Sequence, residues 1–162
     1  KGLLYWPERV PASIDYARVV PKAIRRTVNM MLRTPLPIVG VRAIRALARR
    51  IEKLGGGDPR YARLYIGHIV RMQEEIGTGG AGFRFMYAAF LQELAAATGQ
   101  AALEAFAARL VAIGDRWQEF AIACARMIKR RDPLEPPKLA ALLRELAQAE
   151  KSFFSDLHAW QH

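Results

Sequence analysis

The sequence holds a single cysteine, Cys124. One thiol excludes an intrachain disulfide and a zinc site built from thiolates, and it fits a reducing, cytoplasmic setting. Long hydrophobic runs are also missing. The longest stretch free of charge is residues 94–103, and it is rich in alanine. A membrane span needs roughly 20 apolar residues, so none is expected. No signal-peptide pattern is read at the start. No segment alternates with period two over a useful length, and nothing repeats at a fixed period, which argues against a sheet and against a repeat array. Histidines are few (His68, His158 and His162) and no Glu-x-x-His pair accompanies them, so neither a metal nor another cofactor is expected. There is no Gly-x-Ser-x-Gly elbow and no phosphate-loop lysine.

Acidic residues are scarce in one region only. Residues 1–60 hold 13 basic and 4 acidic side chains, whereas residues 61–162 hold 12 and 11. Nearly all of the net charge of +10 therefore lies in the first third. Such a surface suits an acidic partner, or is simply solvated. A DNA-reading helix-turn-helix is a poor match. The helix after the glycine-rich break at 55–58 begins Arg60-Tyr61-Ala62-Arg63 and soon turns apolar, unlike an exposed recognition helix.

What the chain does have is helical periodicity. Its 162 residues, 52% of them apolar, suffice for one packed domain. The expected fold is all-α, a single bundle of about six helices with a long central fifth helix. Residues 1–20, with Pro7 and Pro11, read as an extended entry segment or linker with a short turn after Ser13, and 21–162 as the helical domain. Pro21 suits a first helical turn, so the first helix is expected from about 21 to 33. The second covers about 38–54, with Val41, Ile44, Leu47 or Ala48, and Ile51 inward. Arg42, Arg45 and Arg49 share another face as a basic ridge turned to a partner. The third, about 59–76, is expected to bury Tyr61, Leu64 or Tyr65, His68 or Ile69, Met72 and Ile76. The fourth presents Phe83, Met86 or Tyr87, Phe90 and Leu94.

The fifth is the clearest. Leu103, Phe106, Leu110, Ile113, Trp117, Phe120, Cys124 and Met127 follow spacings of three and four, a helix-packing seam over about 100–131. Cys124 is thereby expected in the core rather than as a nucleophile. Gly114 within the seam either bends the helix or admits a close neighbour. The last helix covers about 137–160, with Leu139, Leu142 or Leu143, Leu146, Phe153, Leu157 and Trp160 inward.

The distinctive element is the glycine-rich run at 77–82, which leads into a helix start. Backbone N–H groups and the positive end of the helix dipole favour an anion there. Thr78, Gly79, Gly80 and Arg84, with Tyr87 one turn on, form the candidate substrate- or anion-binding set. The alternative is structural: Thr78 caps the helix, and Arg84 pairs with Glu74, Glu75 or Asp115.

The stretch GTGGAGFRFMYAAFLQEL (77–94), taken with GDRWQEFA (114–121) and PIVGVRAIRALARRI (37–51), resembles the C-terminal domain of relatives of butirosin biosynthesis protein H. Gly79, Gly80, Phe83, Arg84, Tyr87, Phe90, Leu91 and Glu93 carry the resemblance. It implies a papain-like N-terminal domain ahead of this helical one, and acyl transfer from an acyl carrier protein in secondary metabolism. The catalytic cysteine and histidine belong to that other domain, so no catalytic residue is transferred here. The first residue is Lys1 rather than Met, which agrees with the expectation of a piece of a longer enzyme. The expected partners are the papain-like domain and an acidic acyl carrier protein, with a second copy of the chain left open. The alternative is a non-catalytic helical domain whose basic face binds an acidic protein.

Overall fold

In a computed structural model, which describes residues 15–160, six α-helices and two single-turn 3₁₀ segments carry the described chain. They are α1 (Tyr16–Arg33), α2 (Gly40–Lys53), α3 (Pro59–Glu74), α4 (Arg84–Thr98), α5 (Ala101–Ile128) and α6 (Pro136–Trp160). The short 3₁₀ turns are Leu54–Gly56 and Ala81–Phe83. No strand forms among the described residues.

Capping chemistry sets most boundaries. The first helix starts at Tyr16, not at Pro21, so residues 16–20 are helix rather than linker. Asp15 is the reason: its carboxylate accepts the Arg18 N–H at 3.2 Å, starting the helix upstream of the proline. Pro21 then lies inside the helix, where it lacks one donor. The expected turn after Ser13 lies outside the described residues. Asp58 caps α3 through the Arg60 N–H at 2.9 Å, with Pro59 at the first helical position. α5 is 28 residues long, about 42 Å at 1.5 Å per residue. It stops short of Arg131 because Arg130 turns left-handed, at φ 56°. The Arg126 side chain then grips Asp132 with two donors, both at 2.8 Å.

α5 is the centre. α4 lies along it, α3 and α6 flank it, α2 packs chiefly on α6, and α1 packs on α6 and α2. The seam residues of α5 from Leu103 to Met127 are buried, save Phe106, which is half-buried. Phe120 here and Phe153 on α6 are wholly enclosed, each contributing roughly 1.5–3 kcal/mol by burial. At Gly114 the Phe85 ring of α4 fits against bare backbone.

Two inward faces differ from the pattern in the sequence. α3 buries Ala62, Ile66 and Gln73 and packs Tyr65 and Ile69, half-buried, against the core as the expected alternatives, while Tyr61, Leu64, His68 and Met72 are exposed, as is Ile76 just beyond its end. α4 buries Ala88, Leu91, Ala95 and the expected Leu94 and packs Tyr87 and Phe90, half-buried, against the core, while Phe83 and Met86 are exposed. Both helices are apolar on more than one side, so the neighbour they pack against chooses the face. No helix among the described residues is long and apolar enough to cross a membrane.

Candidate functional site

The glycine-rich run enters α4 through a strained backbone. Gly77, Gly79, Gly80, Ala81, Gly82 and Phe83 all have positive φ. Glycine takes that region freely, but Ala81 and Phe83 do so at a cost of about 1–3 kcal/mol each, which the surroundings must offset. They do so with an internal carboxylate. The Ala81 N–H donates to both oxygens of Glu74, at 3.2 and 3.3 Å, and Gln73 Nε2 donates to Glu74 Oε1 at 2.7 Å. The anion at this loop is therefore the protein's own Glu74. Thr78 is buried and donates to the Gln73 carbonyl at 2.5 Å; it does not cap α4, whose first turn has no side-chain cap. Gly79 and Gly80 pack against Met86 and Glu74.

Arg84 faces the other way, and its partner is none of the three carboxylates expected. It reaches Glu150 on α6, with Nε at 2.8 Å and a terminal nitrogen at 2.7 Å from Oε1. The Trp117 indole N–H donates to the same oxygen at 2.7 Å. The guanidinium also lies 4.4 Å from the Trp117 ring centroid and donates to the Gly82 carbonyl at 2.8 Å. A Cβ at Gly82 would meet that guanidinium, so glycine is needed there for close approach as well as for its φ. Four elements are thus tied at one point: the loop, α4, α5 and α6.

On the far side of Arg84 lies a cavity of about 380 Å³. Thr27, Met30 and Met31 of α1 form one wall and Tyr87, Leu110 and Phe154 the other. Gly82, Phe83 and Arg84 complete the lining. Leu110 and Phe154 are buried and make the floor, whereas Phe83 and Met30, 53% and 49% exposed, stand at the rim. Burial pushes the Tyr87 hydroxyl up to about 12, a shift that the Thr27 side chain partly opposes. Even so, the buried Tyr87 oxygen meets no partner in hydrogen-bond geometry among the described residues. Of the expected site residues, the structure gathers Arg84 and Tyr87 at this cavity and leaves Thr78, Gly79 and Gly80 outside its lining.

The basic ridge is divided. Arg42 donates to the Pro35 carbonyl at 3.1 Å, and Arg45 reaches Gln148 of α6 at 3.5 Å, so both serve the fold in part. Among the described residues, the Arg49 side chain makes no ion pair or hydrogen bond, and neither does that of Lys53 one turn on. These two, with Arg50 and Tyr61, line an open groove that carries no acidic side chain. Toward the start of α2 it continues over Ala46 into an apolar section with Ile38, Leu47 and Tyr65.

The remaining candidates are plain. Cys124 is buried, and desolvation pushes its thiol up to about 12, so no thiolate forms near neutral pH. His68 is exposed rather than in the core. His158 accepts from Arg33 at 3.0 Å, and His162 lies outside the described residues. No three His, Cys, Asp or Glu side chains among the described residues come together as metal ligands.

Three contributors escaped the sequence pattern: Glu150, the indole N–H of Trp117, and the α1 wall of the cavity. Glu150 did leave a signal. It falls in the apolar stripe of α6, four residues after Leu146 and three before Phe153, where an acid needs a partner. The α1 wall left none, because only tertiary packing brings it there.

The chain belongs to the family described as a domain of unknown function, DUF4872, whose model matches residues 1–157. No curated protein and no solved structure matches it.

Proposed function

We propose that this chain is the helical, partner-binding portion of an acyltransferase-like or cysteine-hydrolase-like enzyme, acting on a carrier-bound acyl or amide substrate in secondary metabolism. The catalytic cysteine and histidine lie in a papain-like domain outside this chain. The motif at 77–94 supports the enzyme class by resemblance. The structural observation that carries the partner is the groove on α2. Arg49 and Lys53 stand at its cationic end without an ion-pair partner among the described residues, and Ile38 and Leu47 line its apolar end. An acidic, amphipathic helix, such as a carrier protein presents, matches both ends.

Titration calorimetry with a phosphopantetheinylated acyl carrier protein tests this. Binding is expected to weaken about tenfold or more in Arg49→Glu/Lys53→Glu, and again as salt shortens the screening length. No binding, or binding indifferent to both reversals, overturns the assignment of this face.

A second reading is a helical interaction domain without chemistry, which the cationic groove on α2 supports by itself. It uses the same face. The coding region immediately upstream separates the two: an in-frame α/β domain with a cysteine supports the enzyme, and a start codon just before Lys1 supports the interaction domain.

A further inference from the structure

The groove on α2 has two sections of opposite character in a fixed order, and that order constrains what can lie in it. Residues of α2 form one side, and Tyr61 and Tyr65 of α3 the other. Ala46 and Arg50 line both sections, so the two are continuous. On the α2 side Ala43 and Ala46 carry only a methyl group, which lets a second helix approach closely. On the α3 side Tyr61 stands in the cationic section and Tyr65 in the apolar one, their ring centroids 6.1 Å apart. A trough between two helices suits a third helix better than a strand, since it offers no row of free backbone donors and acceptors.

The side chains come in pairs. Arg49 and Lys53, four residues apart, share one face, and among the described residues neither has an ion-pair partner. Arg50 does not join them: its guanidinium lies 5.2 Å from the Tyr65 ring centroid, on the boundary between the sections. Ala43 and Leu47, also four apart, line the apolar section. The midpoints of the two pairs are six residues apart on α2, about 9 Å at 1.5 Å per residue. On a docked helix the closest step that stays on one face is seven residues, about 10.5 Å.

We infer that the groove reads spacing: its occupant is a helix of another protein with apolar side chains at positions i and i+4 and carboxylates at i+7 and i+11. The apolar pair lies against Ile38, Leu47 and Tyr65, and the carboxylates meet Arg49 and Lys53. The inference rests on the docking face proposed above and adds the pattern that selects among acidic helices. A nucleic acid would satisfy the cations and leave the apolar section wet. A second copy of this chain does not fit either. Asp115 and Glu119 are the only acids four apart in the described helices. The positions that should hold their apolar pair are Ala108 and Ala112 on one side, with little apolar surface, and Ile122 and Arg126 on the other.

Two alanine-based helical peptides of equal composition are the probes, titrated by fluorescence anisotropy. One carries Leu at i and i+4 and Glu at i+7 and i+11. The other exchanges the residues at i+4 and i+7, so that face and net charge are kept but apolar and acidic positions alternate. The first is expected to bind at least about tenfold more tightly than the second. Arg49→Glu/Lys53→Glu should weaken it at least about tenfold while circular dichroism stays helical. Ile38→Asp, at a position 73% exposed, should weaken it about tenfold without cost to the fold. Equal binding of the two peptides, binding of neither, or indifference to either substitution overturns the proposal. Self-association of the chain that the charge reversal abolishes also overturns it, because a second copy would then be the occupant. The pattern and the carrier assignment fail separately. If the first peptide binds selectively and the carrier protein does not bind, the pattern stands and the carrier falls. If the carrier protein binds and the two peptides bind alike, the pattern alone falls.

Discussion

Arg84 and Glu150, 66 residues apart in sequence, meet on one carboxylate oxygen that Trp117 also serves. Glu150 is wholly buried and the Arg84 side chain is 19% exposed. A carboxylate in that position is tolerable only while its donors are in place, since an unpaired buried charge is far worse than a paired one.

The first prediction follows from that asymmetry. Arg84→Ala should lower unfolding free energy by about 3–5 kcal/mol, because Glu150 keeps its desolvation penalty and loses its cation. Glu150→Gln, which retains an acceptor for Trp117, should cost less. Replacing both by methionine should cost less than Arg84→Ala alone, since apolar pairs of similar volume replace buried ion pairs well. Urea denaturation of the four proteins decides it. A loss below about 1 kcal/mol for Arg84→Ala would mean that the pair contributes no more than a surface contact.

The second prediction concerns Gly114. A Cβ there would lie 2.6 Å from Phe85 Cε1 and 3.0 Å from Cδ1 and Cζ. Alanine in mid-helix gains about 1 kcal/mol over glycine from propensity, but overpacking a core typically costs about 1–3 kcal/mol. The ring is wedged between α4 and α5, so the steric effect should win and Gly114→Ala should melt at a lower temperature. Adding Phe85→Leu should restore part of the loss. A Gly114→Ala protein that is more stable would show that the ring moves freely.

Legibility in the sequence tracked how one-sided each helix is. α2 places Val41, Ile44, Ala48 and Ile51 on one face and arginines on the other, and those four residues are the buried ones. The α5 seam was equally plain and is the actual core. On α3, Tyr61, Leu64 and Met72 share the expected stripe yet are exposed, while Ala62 and Ile66, on a neighbouring face that is also apolar, are the buried positions. The loop shows the same limit. Its glycines marked a tight turn, but nothing local told that Ala81 and Phe83 would share the left-handed backbone, which depends on Glu74 arriving from α3. Arg84 was legible as a functional or locking residue. Its partner was not, since Glu150 lies one helix layer and 66 residues away.

The last prediction is an alkaline limb in stability with two separable causes. Desolvation raises the Cys124 thiol from 9.0 to about 12 and the Tyr87 hydroxyl from 10.0 to about 12 in the folded chain. Both groups are neutral when protonated. Below pH 9 they are protonated in both states, and stability is at its full value. Above pH 9 the unfolded chain loses the Cys124 proton while the folded chain keeps it, so stability falls as pH rises; above pH 10 Tyr87 adds a second loss. Each group contributes a slope of up to about 1.4 kcal/mol per pH unit until its folded pKa is reached. Urea unfolding measured between pH 8 and 11.5 should therefore steepen once near 9 and again near 10. Cys124→Ala should remove the first break and Tyr87→Phe the second. A wild-type profile flat to pH 11, or one that neither substitution alters, would show that these two groups are not the source. The same buried thiol should resist iodoacetamide at pH 8 in the native chain and react at once in denaturant, which checks the Cys124 half without any stability measurement.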